Sequence, residues 1–181
     1  MTPLGIRFAY VGGKHMDNNY YLLAVLDDDS QTRLKEMSDK LAEQGFVYTK
    51  YTPYHITLWD GDKIDEQTLA RFDKICRATP AFETALGSIG LFGLAVAFLA
   101  PLPSQALLTL EQKICGQIND APDGWVPHVT MRMGEPEYIK QVVPIISGLF
   151  TPFTVCIERV ELYECGEGYA NLVRRFCLSG K

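Results

Sequence analysis

A chain of 181 residues and 20.3 kDa can bury one good-sized core. Its 47% apolar and 22% charged residues are those of a globular protein and exclude a disordered or fibrous one. A formal net charge of −5 and a pI of about 5.2 argue against a grip on long nucleic acid, which requires many phosphates to be neutralised at once. They leave room for a local basic cleft that takes one phosphate.

In chain order, the segment up to Asn19 reads as peripheral, and Tyr20–Leu26 is an apolar run of strand length. Asp27-Asp28-Asp29-Ser30 ends that strand and supplies a helix cap. Leu34, Met37 and Leu41 then recur at helical spacing until Gly45. Phe46–Lys50 and a Tyr51-Thr52-Pro53 turn lead to the string His55-Ile56-Thr57-Leu58. Asp65 caps a second helix with Leu69, Phe72 and Ile75 inward. Phe82–Leu91 and Val96–Ala100 read as strands. A helix with Leu107, Glu111, Ile114 and Ile118 on one face follows, and Asn119–Gly124 is turn-rich.

Pro127 introduces His128-Val129-Thr130-Met131. Pro136 opens a helix with Ile139, Val143 and Ile146 inward, and two closing strands, near Phe153–Tyr163 and Leu172–Leu178, are joined by Glu164–Tyr169. Strand, helix and His-x-Thr strand thus occur twice, 73 residues apart from His55 to His128. No linker separates the halves. The expectation is an α+β fold, one domain over 1–181, with two pseudo-symmetric antiparallel-sheet lobes around a central cleft.

The uncharged stretch from Thr84 to Leu110 is interrupted by Gly87, Gly90, Gly93, Pro101 and Pro103, so it reads as buried strands and a helix, with no membrane span. Five scattered cysteines lack a CxxC pair and no cleavable leader is evident. Both features suggest reduced thiols and a cytoplasmic protein.

Two of only three histidines fall in the same tetrapeptide pattern. Residues two apart on a strand share a face. Each string therefore presents an imidazole and a hydroxyl on one side while Ile56/Leu58 and Val129/Met131 face a core. Facing pairs would set two proton-transfer groups and two hydroxyl donors around one small anion, the makings of a phosphoesterase site. His55 and His128 are the candidate catalytic acid and base, because imidazole offers both protonation states near neutrality. Thr57 and Thr130 are the candidate donors to non-bridging phosphate oxygens. Period-two spacing adds Arg132 as a phosphate-binding cation and places Trp59 with His55 and Thr57 as a candidate base contact. Tyr163 and Trp125 are further aromatic candidates. His15, after Gly12-Gly13-Lys14, is incidental, since that triplet lacks the spacing of a phosphate-binding loop. No metal is expected, because two histidines flanked by threonines lack further ligands, and no cofactor is implied.

Tyr54-His55-Ile56-Thr57-Leu58, Val126-Pro127-His128-Val129-Thr130-Met131, the run Ile89-Gly90-Leu91-Phe92-Gly93 before Val96–Ala100, and the closing Ile157–Tyr163 strand resemble the 2H phosphoesterase superfamily, in particular its LigT-type, "2′-5′ RNA ligase-like" members. The resemblance runs from about Tyr20 to the C-terminus. It implies a bilobal fold of two antiparallel sheets and metal-independent chemistry on 2′,3′-cyclic phosphates or related phosphodiesters. Two positions depart from the pattern: Tyr54 stands where proline is frequent, and Arg132 lies one residue short of the usual basic position. The expected substrate is a nucleotide or a short RNA end; the sequence leaves the oligomeric state open, and a monomer is assumed. Alternatives within the class are a 2′-5′ phosphodiesterase or ligase and a cyclic-oligonucleotide hydrolase. Outside the class, the same cleft serves a non-catalytic nucleotide-binding module.

Overall fold

A computed structural model describes residues 20–116 and 125–179. Its elements run β1 (Tyr20–Leu26), α1 (Asp28–Glu43), β2 (His55–Gly61), α2 (Glu66–Arg77), β3 (Phe82–Phe92), β4 (Val96–Pro101), α3 (Gln105–Cys115), β5 (Val129–Met133), α4 (Pro136–Leu149), β6 (Phe153–Gly166) and β7 (Tyr169–Cys177). Helix starts follow local chemistry. The side chains of Asp27, Asp65 and Ser104 accept from the backbone N–H three residues on, and Pro136 opens α4, where its missing N–H costs nothing. Gly45, at φ 91°, turns the chain out of α1. The turn between β6 and β7 is tighter than the sequence suggests. Only Glu167 and Gly168 lie outside the strands, and Gly168 has φ 79°.

All strand pairs of the sheet are antiparallel, in the order β2-β1-β6-β3-β4-β5, with β7 pairing β6. Strand β6 joins the halves. Its Ile157–Glu164 stretch lies along β1. On its other side, Phe153–Ile157 lies along β3 and Arg159–Gly166 along β7. The α+β architecture is therefore as expected, and hydrogen bonding unites the two lobes in one seven-stranded sheet. The motif-bearing strands β2 and β5 are its two ends. The sheet curls until their Cα atoms come within 8 Å, and α2 with α3 and α1 with α4 pack across the same gap.

One face of the sheet is covered by the helices. Leu34, Leu41, Phe72, Leu110, Ile114, Ile139 and Ile146 meet Leu22, Ile56, Leu99, Val129 and Val160 there in one core, each fully buried side chain contributing about 1.5–3 kcal/mol. The opposite face carries a smaller cluster of Leu23, Val25 and Tyr163. Among the described residues no helix is long and apolar enough to cross a membrane. The Ile118 position, the Asn119–Gly124 turn, His15 and the segment to Asn19 lie outside the described residues.

Candidate active site

Each motif divides between the two faces as the alternation requires. Ile56 and Leu58 on β2, and Val129 and Met131 on β5, are buried in the helix-covered core. His55 and Thr57 are half-buried opposite Val25 and Leu23 of β1, on the face of the smaller cluster. His128, immediately before β5, and Thr130 are also half-buried. Thr130 stands opposite Phe98 of β4, and the His128 ring meets Phe92 edge-on at 4.8 Å and Phe98 at 5.4 Å between centroids. Neither threonine hydroxyl has a hydrogen-bond partner among the described residues.

Beyond each threonine the alternation breaks. On β2, Thr57 pairs with Leu23 but Trp59 pairs with Leu22, so Leu58 is an extra residue. On β5, Thr130 pairs with Phe98 but Arg132 pairs with Ala97, so Met131 is extra. Two β-bulges thus occupy the same place in the two motifs, and a bulge shifts everything after it by one residue, to the other face. Trp59 and Arg132, expected beside the histidines, are both carried to the helix side. The Trp59 indole packs on the core and meets Phe72 of α2 at 5.4 Å.

Arg132 is fully buried, and its guanidinium donates to three backbone carbonyls: Met131 at 2.7 Å, Ser38 of α1 at 2.9 Å and Phe46 at 3.2 Å. It lies over the Tyr48 ring, 5.8 Å from its centre, and burial lowers its pKa, partly offset by Tyr138, Tyr54 and Tyr48. The position expected to bind phosphate is instead a strut between β5, α1 and the chain that follows α1.

The two imidazoles are tethered in the same way. His55 Nδ1 lies 2.7 Å from the Pro53 carbonyl and His128 Nδ1 2.8 Å from the Val126 carbonyl, each two residues upstream. A carbonyl oxygen only accepts, so in each ring Nδ1 carries the hydrogen and Nε2 is left with the lone pair. Thr52 Oγ1 is a further neighbour of His55 Nδ1 at 3.4 Å. Burial pushes the His55 pKa down to about 3, with the charges of Lys50 and His128 adding to the effect and the Pro53 bond opposing it. Burial likewise lowers His128, again with a contribution from Lys50. Among the described residues no carboxylate acts on either ring.

Lys50 escapes the sequence reading. It precedes His55 by five residues in the irregular stretch between α1 and β2, where no periodicity points at it. Its ammonium lies 5.1 Å above the Tyr54 ring, and burial with the charge of Arg132 brings its pKa down to about 8.

Two donors link the elements around β2. The Trp125 indole N–H donates to the Thr57 carbonyl at 3.0 Å, and the Cys115 thiol of α3 to the Leu58 carbonyl at 3.3 Å. Trp125 thus ties the segment before His128 to the strand of His55. Tyr163 shares the histidine face, packed with Leu23 and Val25. Its hydroxyl donates to Glu161 at 2.9 Å, and its pKa is pushed up to about 12 by burial and that carboxylate. Glu161, itself 2% exposed, also accepts from Arg159 and Arg175. Among the described residues no three His, Cys, Asp or Glu side chains converge as a metal site.

Comparison with known proteins agrees with this architecture. The chain resembles E. coli LigT complexed with 3′-AMP, with a TM-score of 0.60 at 15% identity over 89% of this chain and 97% of that one. It matches the apo form of the same protein with a TM-score of 0.61 at 14% identity, covering 90% and 98%. The protein TT0787 of Thermus thermophilus gives a TM-score of 0.62 at 17% identity, covering 90% and 99%. At such identities the likeness is one of fold. No curated protein sequence matches. The sequence profile of the 2′-5′ RNA ligase superfamily matches residues 26–168, a span that holds both bulged His-x-Thr strands, and the chain belongs to that superfamily of 2H phosphoesterases.

Proposed function

We propose that this protein is a metal-independent phosphodiesterase that opens 2′,3′-cyclic phosphates of nucleotides or short RNA ends by two-histidine acid–base catalysis. The observation that carries the reading is the matched tethering of His55 and His128, which leaves both Nε2 atoms available on two strand ends brought together by the curl of the sheet. In the reaction one neutral Nε2 takes a proton from water as its oxygen bonds to phosphorus. The other imidazole, protonated, gives its Nε2 proton to the ribose oxygen as the P–O bond breaks. Thr57 and Thr130, with hydroxyls unengaged among the described residues, donate to the non-bridging oxygens where charge accumulates. No carboxylate among the described residues acts on either ring, so the charge of a bound phosphate is what favours the protonated form of one ring, which burial alone disfavours. A ribose monophosphate such as the 3′-AMP held by E. coli LigT is the kind of product that such ring opening leaves.

The test is turnover of a panel of 2′,3′-cyclic nucleoside monophosphates in EDTA, beside His55→Ala and His128→Ala. Each substitution is expected to lower kcat by about 10²–10⁴-fold. A loss below about tenfold in either variant, or activity that EDTA abolishes, would overturn the reading.

A further inference from the structure

The two motifs supply no fixed cation for the substrate's phosphate among the described residues, because Arg132 is committed to three carbonyls on the far side of the sheet. Lys50 meets the requirement. The stretch that carries it is pinned at both ends. Arg132 Nε holds the Phe46 carbonyl at 3.2 Å. The Tyr54 N–H donates to Gln31 Oε1 at 2.7 Å, and the Tyr54 carbonyl accepts from Gln31 Nε2 at 2.7 Å and from the Leu26 N–H at 3.2 Å. Between these points the Lys50 ammonium rests over the Tyr54 ring. It enters none of the ion pairs among the described residues. The same stretch meets the His55 ring through the Pro53 carbonyl at 2.7 Å and Thr52 Oγ1 at 3.4 Å, and the Lys50 charge reaches both His55 and His128. Among the described residues, a largely desolvated ammonium grouped with two imidazoles, two unengaged hydroxyls and no carboxylate is an excess of positive charge awaiting an anion.

We propose that the Lys50 ammonium, rather than the Arg132 guanidinium, holds the substrate's phosphate between His55 and His128. The assignment rests on the two-histidine reading of the site. A lysine suits the task because its flexible stem brings a point charge to oxygens whose negative charge shifts during the reaction. Arg132 then acts indirectly, as a positioning residue for the stretch that bears Lys50.

The experiment compares wild type with Lys50→Met, Lys50→Gln and Lys50→Arg. Calorimetry reads the binding of inorganic phosphate and of a nucleoside 3′-monophosphate, kinetics reads turnover of 2′,3′-cyclic nucleotides, and proton NMR follows the histidine titrations. Loss of the charge is expected to weaken phosphate binding roughly 10- to 100-fold, with Lys50→Arg retaining most of it, and to raise the titration points of both imidazoles. Unchanged phosphate affinity in the neutral variants would overturn the assignment while leaving the hydrolase reading standing. Weaker binding with unmoved histidine titrations would mark Lys50 as structural and overturn it as well. Lys50-dependent phosphate binding without turnover by the wild type would keep the assignment and sink the hydrolase reading. Should the neutral variants not fold, the histidine titrations of Lys50→Arg decide. Titration points close to those of wild type, with phosphate still bound, support the assignment, and loss of phosphate binding by that charge-retaining variant overturns it.

Discussion

His55 and His128 each owe their tautomer, with Nε2 left as the lone-pair nitrogen, to a backbone atom. Each Nδ1–H is spent on a carbonyl two residues upstream, so the rings cannot flip or change tautomer without losing that hydrogen bond. The same burial has a thermodynamic signature. The folded His55 pKa of about 3 lies below the ordinary value of 6.5, so between those two values the unfolded chain binds the extra proton. Stability is therefore complete above about pH 6.5 and is lost as pH falls toward 3, with a slope of at most about 1.4 kcal/mol per pH unit for one proton. Urea unfolding at pH 7.5 and pH 5, in a buffer without phosphate, is expected to show this loss in wild type and a smaller one in His55→Asn. Equal pH dependence in the two proteins would show that His55 is not the group responsible. Because Lys50 and His128 are the charges acting on this ring, added phosphate should reduce the loss.

At the level of elements, most of the fold could be read from the chain. The caps Asp27, Asp65 and Ser104 and the helix-opening Pro136 work through chemistry local to three or four residues, and the apolar periodicities of α1, α2 and β1 are strong. The His-Thr pairing was legible for the same reason, since period two holds within each tetrapeptide. The bulges were not. An extra leucine or methionine in a bulge leaves no mark in composition, because each is as buried as the apolar residue two positions before it, Ile56 or Val129. Every face assignment past Leu58 and Met131 was consequently inverted, which put Trp59 and Arg132 on the wrong side. Lys50 was invisible for a different reason: its position depends on hydrogen bonds from Gln31 and Arg132, 19 residues before it and 82 after. The bulge on β2 makes a prediction of its own. Trp59→Ala removes packing against Phe72 rather than a base contact. It should cost about 3 kcal/mol in unfolding free energy while KM for a cyclic nucleotide changes less than threefold. A large KM change at unchanged stability would put the indole back in the cleft.

For the molecule as a whole, Arg132 is a buried side chain that joins parts distant in sequence. Its donors reach Ser38 and Phe46 from β5, tying the first helix and the approach to β2 to the second motif. Arg132→Met leaves those carbonyls without a buried partner, at about 1–3 kcal/mol each. It is expected to lower stability by at least about 3 kcal/mol and to weaken phosphate binding by loosening the Lys50 stretch. Full phosphate affinity in a destabilised Arg132→Met would separate the two roles and remove Arg132 from the site's support.

The two imidazoles stand at opposite ends of one sheet. No backbone ladder joins β2 to β5, because each is a terminal strand with its single neighbour on the far side. The distance between the two histidines, which the proposed reaction needs to span a phosphorus, is therefore set by helix packing and by tethers such as Trp125 to Thr57. Side-chain packing gives way to heat by degrees, whereas a ladder holds until it breaks. For the proposed reaction, spreading of the seam thus makes turnover the first property expected to fail on warming, below the temperature at which the sheet itself melts.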